Sequence, residues 1–276
     1  MKRTAILIIL AALTFAGCKH ETSELATRTI SGEQCYKVVF DTDEYPWGTD
    51  FYTKTDFTLE WPATGAVSAE AERELLLLCF MDSSATNFDE AARRWLARPF
   101  SYEDEYDCER KPVPSIDESE EYGNMHLESS CTQDSALAVF IVKTESFVVG
   151  AAHGMYSVDY LTIDKATGNA IHIADLVTDT NLLCEAVARA IQDLDVNKDT
   201  RECLFDEFRD AERMPMPGNF VIDSARNNIT VVYSLYEITP YCCGIQSVVL
   251  PIFWLSKHVP LTPYAKRLFG PGSSLE

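Results

Sequence analysis

Polar and apolar positions alternate with a period of two in some stretches and repeat with a helical period in others. Gln34–Phe40 is β-prone, and Asp56-Phe-Thr-Leu-Glu-Trp61 alternates until Pro62 ends the run. Ser68 is placed to cap a helix reaching about Met81, with Leu75, Leu76, Leu78 and Cys79 near one face. Asn87-Phe-Asp-Glu90 has capping-box spacing and opens a second helix, which Pro99 stops after Arg98. Residues 101–120 are acidic and broken by prolines, and read as a loop or a disordered crossing. Tyr122–Cys131, Ala136–Phe147 and Tyr156–Ile163 then read as an antiparallel meander, which Ala170–Ile173 extends past a turn from Asp164 to Gly168. Helices return at Asn181–Leu194 and Arg201–Arg209, the first with Leu182, Leu183, Ala186, Val187, Ala190 and Ile191 on its buried face. Asn219–Asp223, Ile229–Tyr236 and Ser247–Trp254 close the pattern as strands, before a short helix ending at Phe269. Pro251 marks the last strand as an edge or a bulge. Strands and helices come in blocks, so the expected class is α+β: helices on an antiparallel sheet, with a β-meander, two helices and a C-terminal β-meander.

The first residues change the picture. Lys2 and Arg3 precede an apolar run from Ala5 to Leu13, followed by Phe15-Ala-Gly-Cys18. That is a basic head, a short apolar core and small residues before a cysteine. The expectation is a lipoprotein leader over residues 1–17, with Cys18 acylated, and a polar tether over 18–32. More than one acyl chain on Cys18 would give a stable anchor, and no other apolar run is long enough to span a bilayer. Residues 33–120 read as an N-terminal part and 121–270 as the principal domain. The net charge is −20, and loss of Lys2 and Arg3 with the leader takes it to −22. A field of that sign repels phosphate backbones, which disfavours nucleic acid, and it suits a cationic partner.

Nine cysteines include Cys18, and an exported chain with eight others invites disulfides. Cys108 and Cys131 flank a polar loop and form the preferred pair; Cys184 and Cys203, on consecutive helices, are another. Within the mature domain only His126 lies near a cysteine, Cys131, so no zinc site is expected. Asp193-Leu-Asp195-Val-Asn197-Lys-Asp199 has the alternate oxygens of a calcium loop, but Lys198 stands where glycine is required and Leu204 where a glutamate is. It reads as a polar turn. There is no nucleophile elbow around Ser157 and no placed pair of carboxylates, so no catalytic residue, metal or cofactor is assigned.

Two stretches carry candidate chemistry. His153 stands between Ala152 and Gly154 and is either a ligand contact or a bend residue bonded to a neighbouring carbonyl. Tyr236-Glu-Ile-Thr-Pro240-Tyr241 ends a strand. Its tyrosines suit recognition, and Glu237 either meets a basic partner or caps nearby amides. Ligand-contact candidates are therefore His153, Tyr156, Tyr236, Glu237, Pro240 and Tyr241.

Val149-Gly-Ala-Ala-His153-Gly154, the run from Asp164 through Gly168 to Leu176, and Val232-Tyr-Ser-Leu-Tyr-Glu-Ile-Thr-Pro-Tyr-Cys-Cys-Gly244 together resemble one known domain. It is the extracytoplasmic domain shared by RsiV-type anti-sigma factors and the N-terminal region of PdaC-type peptidoglycan deacetylases (DUF3298, often preceded by DUF4163). The resemblance covers roughly residues 140–256, and residues 33–120 are similar to the companion region in element order. It implies an α+β domain which, in the anti-sigma members, binds the basic protein lysozyme. Neither a sigma-binding segment nor a deacetylase domain is recognised here, so those activities are not expected to carry over. The expectation is a non-enzymatic, lipid-anchored cell-envelope module for a lysozyme-like protein or peptidoglycan. The alternatives are a peptidoglycan-acting enzyme using His153 and Glu237, and a structural envelope lipoprotein.

Overall fold

A computed structural model describes residues 24–40, 50–100, 108–117, 119–209, 214–223 and 227–270. The expected leader, Cys18, the start of the tether and the acidic cluster Glu103-Asp-Glu105 lie outside those residues. By internal contacts the chain separates into two units, 1–136 with 142–156 and 165–168, and 137–141 with 157–164 and 169–276.

The first unit is built on β1 (Thr27–Phe40) and β2 (Asp50–Pro62), which pair antiparallel along nearly their whole length. β2 buries Phe51, Thr53, Thr55, Phe57, Leu59 and Trp61, the period of two expected from its sequence. Two helices follow, α1 (Ala69–Phe80) and α2 (Phe88–Leu96). As the sequence suggested, the Ser68 side chain caps α1 through the Ala71 N–H and the helix ends at Met81, which takes a left-handed conformation. Asn87 caps α2 through the Glu90 N–H at 3.0 Å, but the Glu90 carboxylate accepts from Thr86, one residue before the cap. The helices present Phe80 and Phe88 to Phe57 and Trp61, edge to face at 4.9–6.2 Å, the geometry aromatic quadrupoles favour.

Two expectations are corrected here. Residues 27–32, read as tether, are strand, because their backbone pairs with Phe57–Pro62 whatever their weak apolar pattern. Residues 108–113, read as part of a loop, form β3 (Cys108–Val113), antiparallel to β1. Pro112 is tolerated because β3 is an edge strand.

The meander follows as β4 (Tyr122–Gln133), β5 (Leu137–Phe147), β6 (Met155–Asp164) and a two-residue β7 (Asn169–Ala170). The sheet order is β3-β1-β2-β4-β5-β6-β7, with β5 and β6 contributing residues to both units. The sheet is mostly antiparallel, with one parallel pair, β2 with β4. A parallel pair needs a long crossover, and α1 and α2 lie within it. At the Asp164–Gly168 turn, Asp164 pairs with Asn169 and Gly168 takes φ +72°, the conformation required of it in the hairpin.

The second unit holds α3 (Ile173–Leu176), α4 (Thr180–Asp193), α5 (Lys198–Cys203), α6 (Asp206–Arg209) and the strands β8 (Asn219–Asp223), β9 (Asn228–Tyr233) and β10 (Gln246–Pro251), ordered β10-β9-β8. Leu183, Ala186, Val187, Ala190 and Ile191 of α4 are buried as expected, in one core with Ile229, Val231, Tyr233, Val248 and Leu250. The strand expected over Ser247–Trp254 stops at Pro251, and Ile252–His258 is α7. Pro251 removes the next ladder donor and suits the start of a helix. The last helix is α8 (Pro263–Leu268).

Candidate functional site

The Tyr236–Tyr241 loop belongs to the second unit and leaves the end of β9. Leu235, Ile238 and Thr239 point into the core, whereas Tyr236 and Glu237 are exposed. The buried pair Leu235 and Ile238 contributes about 3–5 kcal/mol of transfer free energy. That outweighs the ~1–2 kcal/mol of holding Tyr236 at φ +63°, a left-handed conformation that L-residues avoid. The Ser234 N–H donates to Glu237 Oε2 at 2.8 Å, and the Glu237 N–H donates to Ser234 O at 3.2 Å. Ile238 O accepts the Phe205 N–H at 3.0 Å, tying the loop to the segment after α5. Pro240 then caps a single 3-10 turn, Tyr241–Cys243. The outcome is two tyrosine rings with centroids 5.7 Å apart, inclined at 33°. Tyr236 is 50% exposed. Tyr233, at the end of β9, is buried, its hydroxyl donating to Pro215 O at 3.1 Å, and burial pushes its pKa up.

His153 and Tyr156 lie in the first unit, at the bend between β5 and β6. His153 is exposed, and its Nδ1 lies 3.0 Å from Gly154 O, the neighbouring-carbonyl contact that is the structural alternative. The bend needs both of its glycines. Gly150 takes φ +85°, and a Cβ on Gly154 would lie 2.9 Å from Ser146 O. Tyr156 is exposed, as are Phe147 and Met155 at the ends of the same two strands. The six candidates therefore divide between the units: His153 and Tyr156 in one, and Tyr236, Glu237, Pro240 and Tyr241 in the other.

The Cys108–Cys131 pairing is corrected. Cys108 lies opposite Phe40, whereas Ser129 is level with Leu59, itself opposite Ile30. Those levels differ by ~10 residues of strand, roughly 33 Å at the usual rise, and β4 runs further away towards Cys131. A disulfide needs Cα atoms within about 7 Å. Burial, with the nearby Glu60 carboxylate, pushes the Cys131 thiol up to about 12.

The calcium-like run is a polar turn, and its Asn197 faces inward. Asn197 is buried, donating to Ala190 O at 3.0 Å and Val249 O at 3.1 Å and accepting the Val249 N–H at 2.9 Å. Among the described residues no group of three or more His, Cys, Asp or Glu side chains is placed to hold a metal ion.

Two groupings went unrecognised in the sequence. On β6, the Ser157 hydroxyl donates to Asp159 Oδ2 at 3.1 Å, and burial raises the Asp159 pKa. Their spacing of two on an expected strand was the available signal. In the first unit His126 Nδ1 contacts Asp56 Oδ1, with Lys54 3.7 Å from the same carboxylate and 2.9 Å from Glu33. The strand register alone brings them together.

The fold is that of proteins assigned to DUF3298. A solved DUF3298 family protein from Pseudomonas aeruginosa PAO1 is similar at 12% identity and a TM-score of 0.54, over 88% of this chain and 97% of its own. A second, from Bacteroides fragilis NCTC 9343, is 16% identical with a TM-score of 0.55, over 88% and 96%. At these identities the likeness is one of fold. No protein-family model and no curated protein matches the sequence. No helix among the described residues is long and apolar enough to cross a membrane.

Proposed function

We propose that this chain is a non-enzymatic binding module of the bacterial cell envelope, anchored through an acylated Cys18, which holds a basic protein through the Tyr236–Tyr241 loop. Lysozyme is the candidate ligand. The observation that carries the reading is the pair of neighbouring tyrosine rings, Tyr236 exposed and Tyr241 half-buried, on a turn fixed by its own hydrogen bonds and by buried neighbours. Aromatic side chains held in place before binding lose little entropy when a partner covers them, so they concentrate binding energy. The net charge of −20 favours a cationic partner. The Glu237 carboxylate accepts the Ser234 N–H within its turn, the amide-capping alternative, so its part in this reading is to hold the turn that presents the tyrosines. Exposed Tyr156 and His153 are candidates for a further contact.

Retention of the purified protein on immobilised lysozyme at low ionic strength tests the reading. Retention is expected, with a loss of tenfold or more in affinity for Tyr236→Ala combined with Tyr241→Ala. Flow-through of the wild type would remove lysozyme as the ligand. Sedimentation with insoluble peptidoglycan instead would move the assignment to a glycan.

A further inference from the structure

Chain ends fray unless something ties them down, and Leu25, Ala26 and Thr27 are each tied to the first unit. The Leu25 N–H donates to Gln133 Oε1 at 2.7 Å, and Gln133 Nε2 donates to Leu25 O at 3.3 Å, the pair of bonds a neighbouring strand would supply. The Ala63 N–H donates to Ala26 O at 2.8 Å. Glu60 accepts the Thr27 hydroxyl at 2.6 Å on one carboxylate oxygen and the Cys131 N–H at 2.8 Å on the other. The Leu25 side chain is buried. The start of β1, the end of β2 and the end of β4 are thus one tied end of the first unit. The β5–β6 bend belongs to the other end. β1 and β2 pair from Thr27–Pro62 to Val39–Asp50, a span of roughly 40 Å at the usual rise. Val148, where the bend begins, packs against the cluster of Val38, Phe40 and Phe51 at the far end of that ladder. His153 and the exposed Phe147, Met155 and Tyr156 accompany it.

We propose that the tied end, formed by Leu25–Thr27, Pro62 and Cys131–Gln133, faces the phospholipid surface, and that the β5–β6 bend of the first unit is directed away from it. This rests on the proposed acylation of Cys18 and not on what the Tyr236–Tyr241 loop binds. Seven residue steps separate Cys18 from Leu25, and a fully extended backbone of that length spans at most ~25 Å. That reach is shorter than the β1–β2 ladder, so the anchor holds the tied end beside the lipid and cannot place the far end there in its stead. The bend meets the bilayer only if the first unit lies on its flank. A net charge of −20 opposes that arrangement against anionic headgroups. The bonds to Gln133, Ala63 and Glu60 turn a short connection into an orientation. Release of Leu25–Thr27 would add three residues, roughly 10 Å of reach, and loosen it.

Energy transfer to the membrane tests the orientation. Ser135, in the turn after β4 at the tied end, and Ala152, in the bend, are both exposed. The acylated full-length chain carrying Ser135→azidophenylalanine or Ala152→azidophenylalanine is coupled to a donor dye at that residue. It is then reconstituted into vesicles of phosphatidylethanolamine and phosphatidylglycerol that carry an acceptor dye on a fraction of the headgroups. Transfer from position 135 is expected to exceed that from position 152 by about twofold or more, given the length of the ladder between them. Cys18→Ser, which cannot be acylated, is expected neither to float with the vesicles nor to show transfer. Transfer from position 152 equal to or above that from position 135, in a chain that floats, would overturn the orientation and leave the anchor standing. A wild-type chain that does not float would overturn the anchor, and the orientation with it.

Discussion

Tyr236 stands at φ +63° at the tip of its turn, where a glycine would carry no steric penalty. Tyr236→Gly is therefore expected to hold or raise stability, by up to ~1 kcal/mol in urea melts, while weakening lysozyme retention. Equal binding by the variant would mean that the strain serves no recognition. Gly154 presents the opposite case: Gly154→Ala places a Cβ 2.9 Å from a backbone carbonyl. A loss of roughly 1–3 kcal/mol is expected, since backbone has to move. Asp159 makes a pH-dependent prediction. Burial raises its folded pKa above the unfolded value, so the folded state favours the proton. Stability is unaffected by this group below the unfolded pKa and falls as pH rises through the raised folded one. Asp159→Asn is expected to melt higher than wild type at neutral pH, with the difference closing in acid. A gap of the same size at pH 3 would show that the effect is not ionisation.

At the scale of elements, Asn197 joins two that are far apart in sequence. Its amide supplies a donor and an acceptor to Val249 on the outer edge of β10, and Thr200 adds a hydroxyl at Ser247 O. A bare edge strand is a site for unwanted pairing, and these side chains cover one. Asn197→Ala leaves the Val249 amide and two carbonyls without this partner. The expected cost is roughly 2–4 kcal/mol in urea melts, with self-association detectable by light scattering. The elements also differ in how readily the sequence declared them. α1, α4 and β2 carry strong local patterns and caps, and were legible. β3 contains a proline and alternates poorly; it is a strand because β1 supplies a partner. The start of β1 is the same case.

At the scale of the whole chain, the net charge of −20 sets how the proposed partner is reached. Screening shortens at higher salt, so the association rate with lysozyme is expected to fall by about tenfold or more between 10 and 150 mM NaCl, with a smaller change in dissociation. Stopped-flow measurement across that range checks it, and a salt-independent association rate would remove electrostatic steering. The likeness to solved DUF3298 proteins, at 12–16% identity, is one of fold across most of the chain.

By itself the sequence determined the α+β class, most helices and strands, the caps at Ser68 and Asn87 and the turn at Gly168. Each of these depends on interactions within a few residues, and local periodicity records them. It also singled out the Tyr236–Tyr241 loop as a surface feature, because tyrosines after a buried strand have a limited set of places to go. Only the tertiary structure decided the parallel β2–β4 pairing, the contact between His126 and Asp56, and the separation of Cys108 from Cys131. Those depend on strand register and on chain closure over tens of residues. A register shift of one residue reverses every side chain on a strand, and no short window of sequence carries that information.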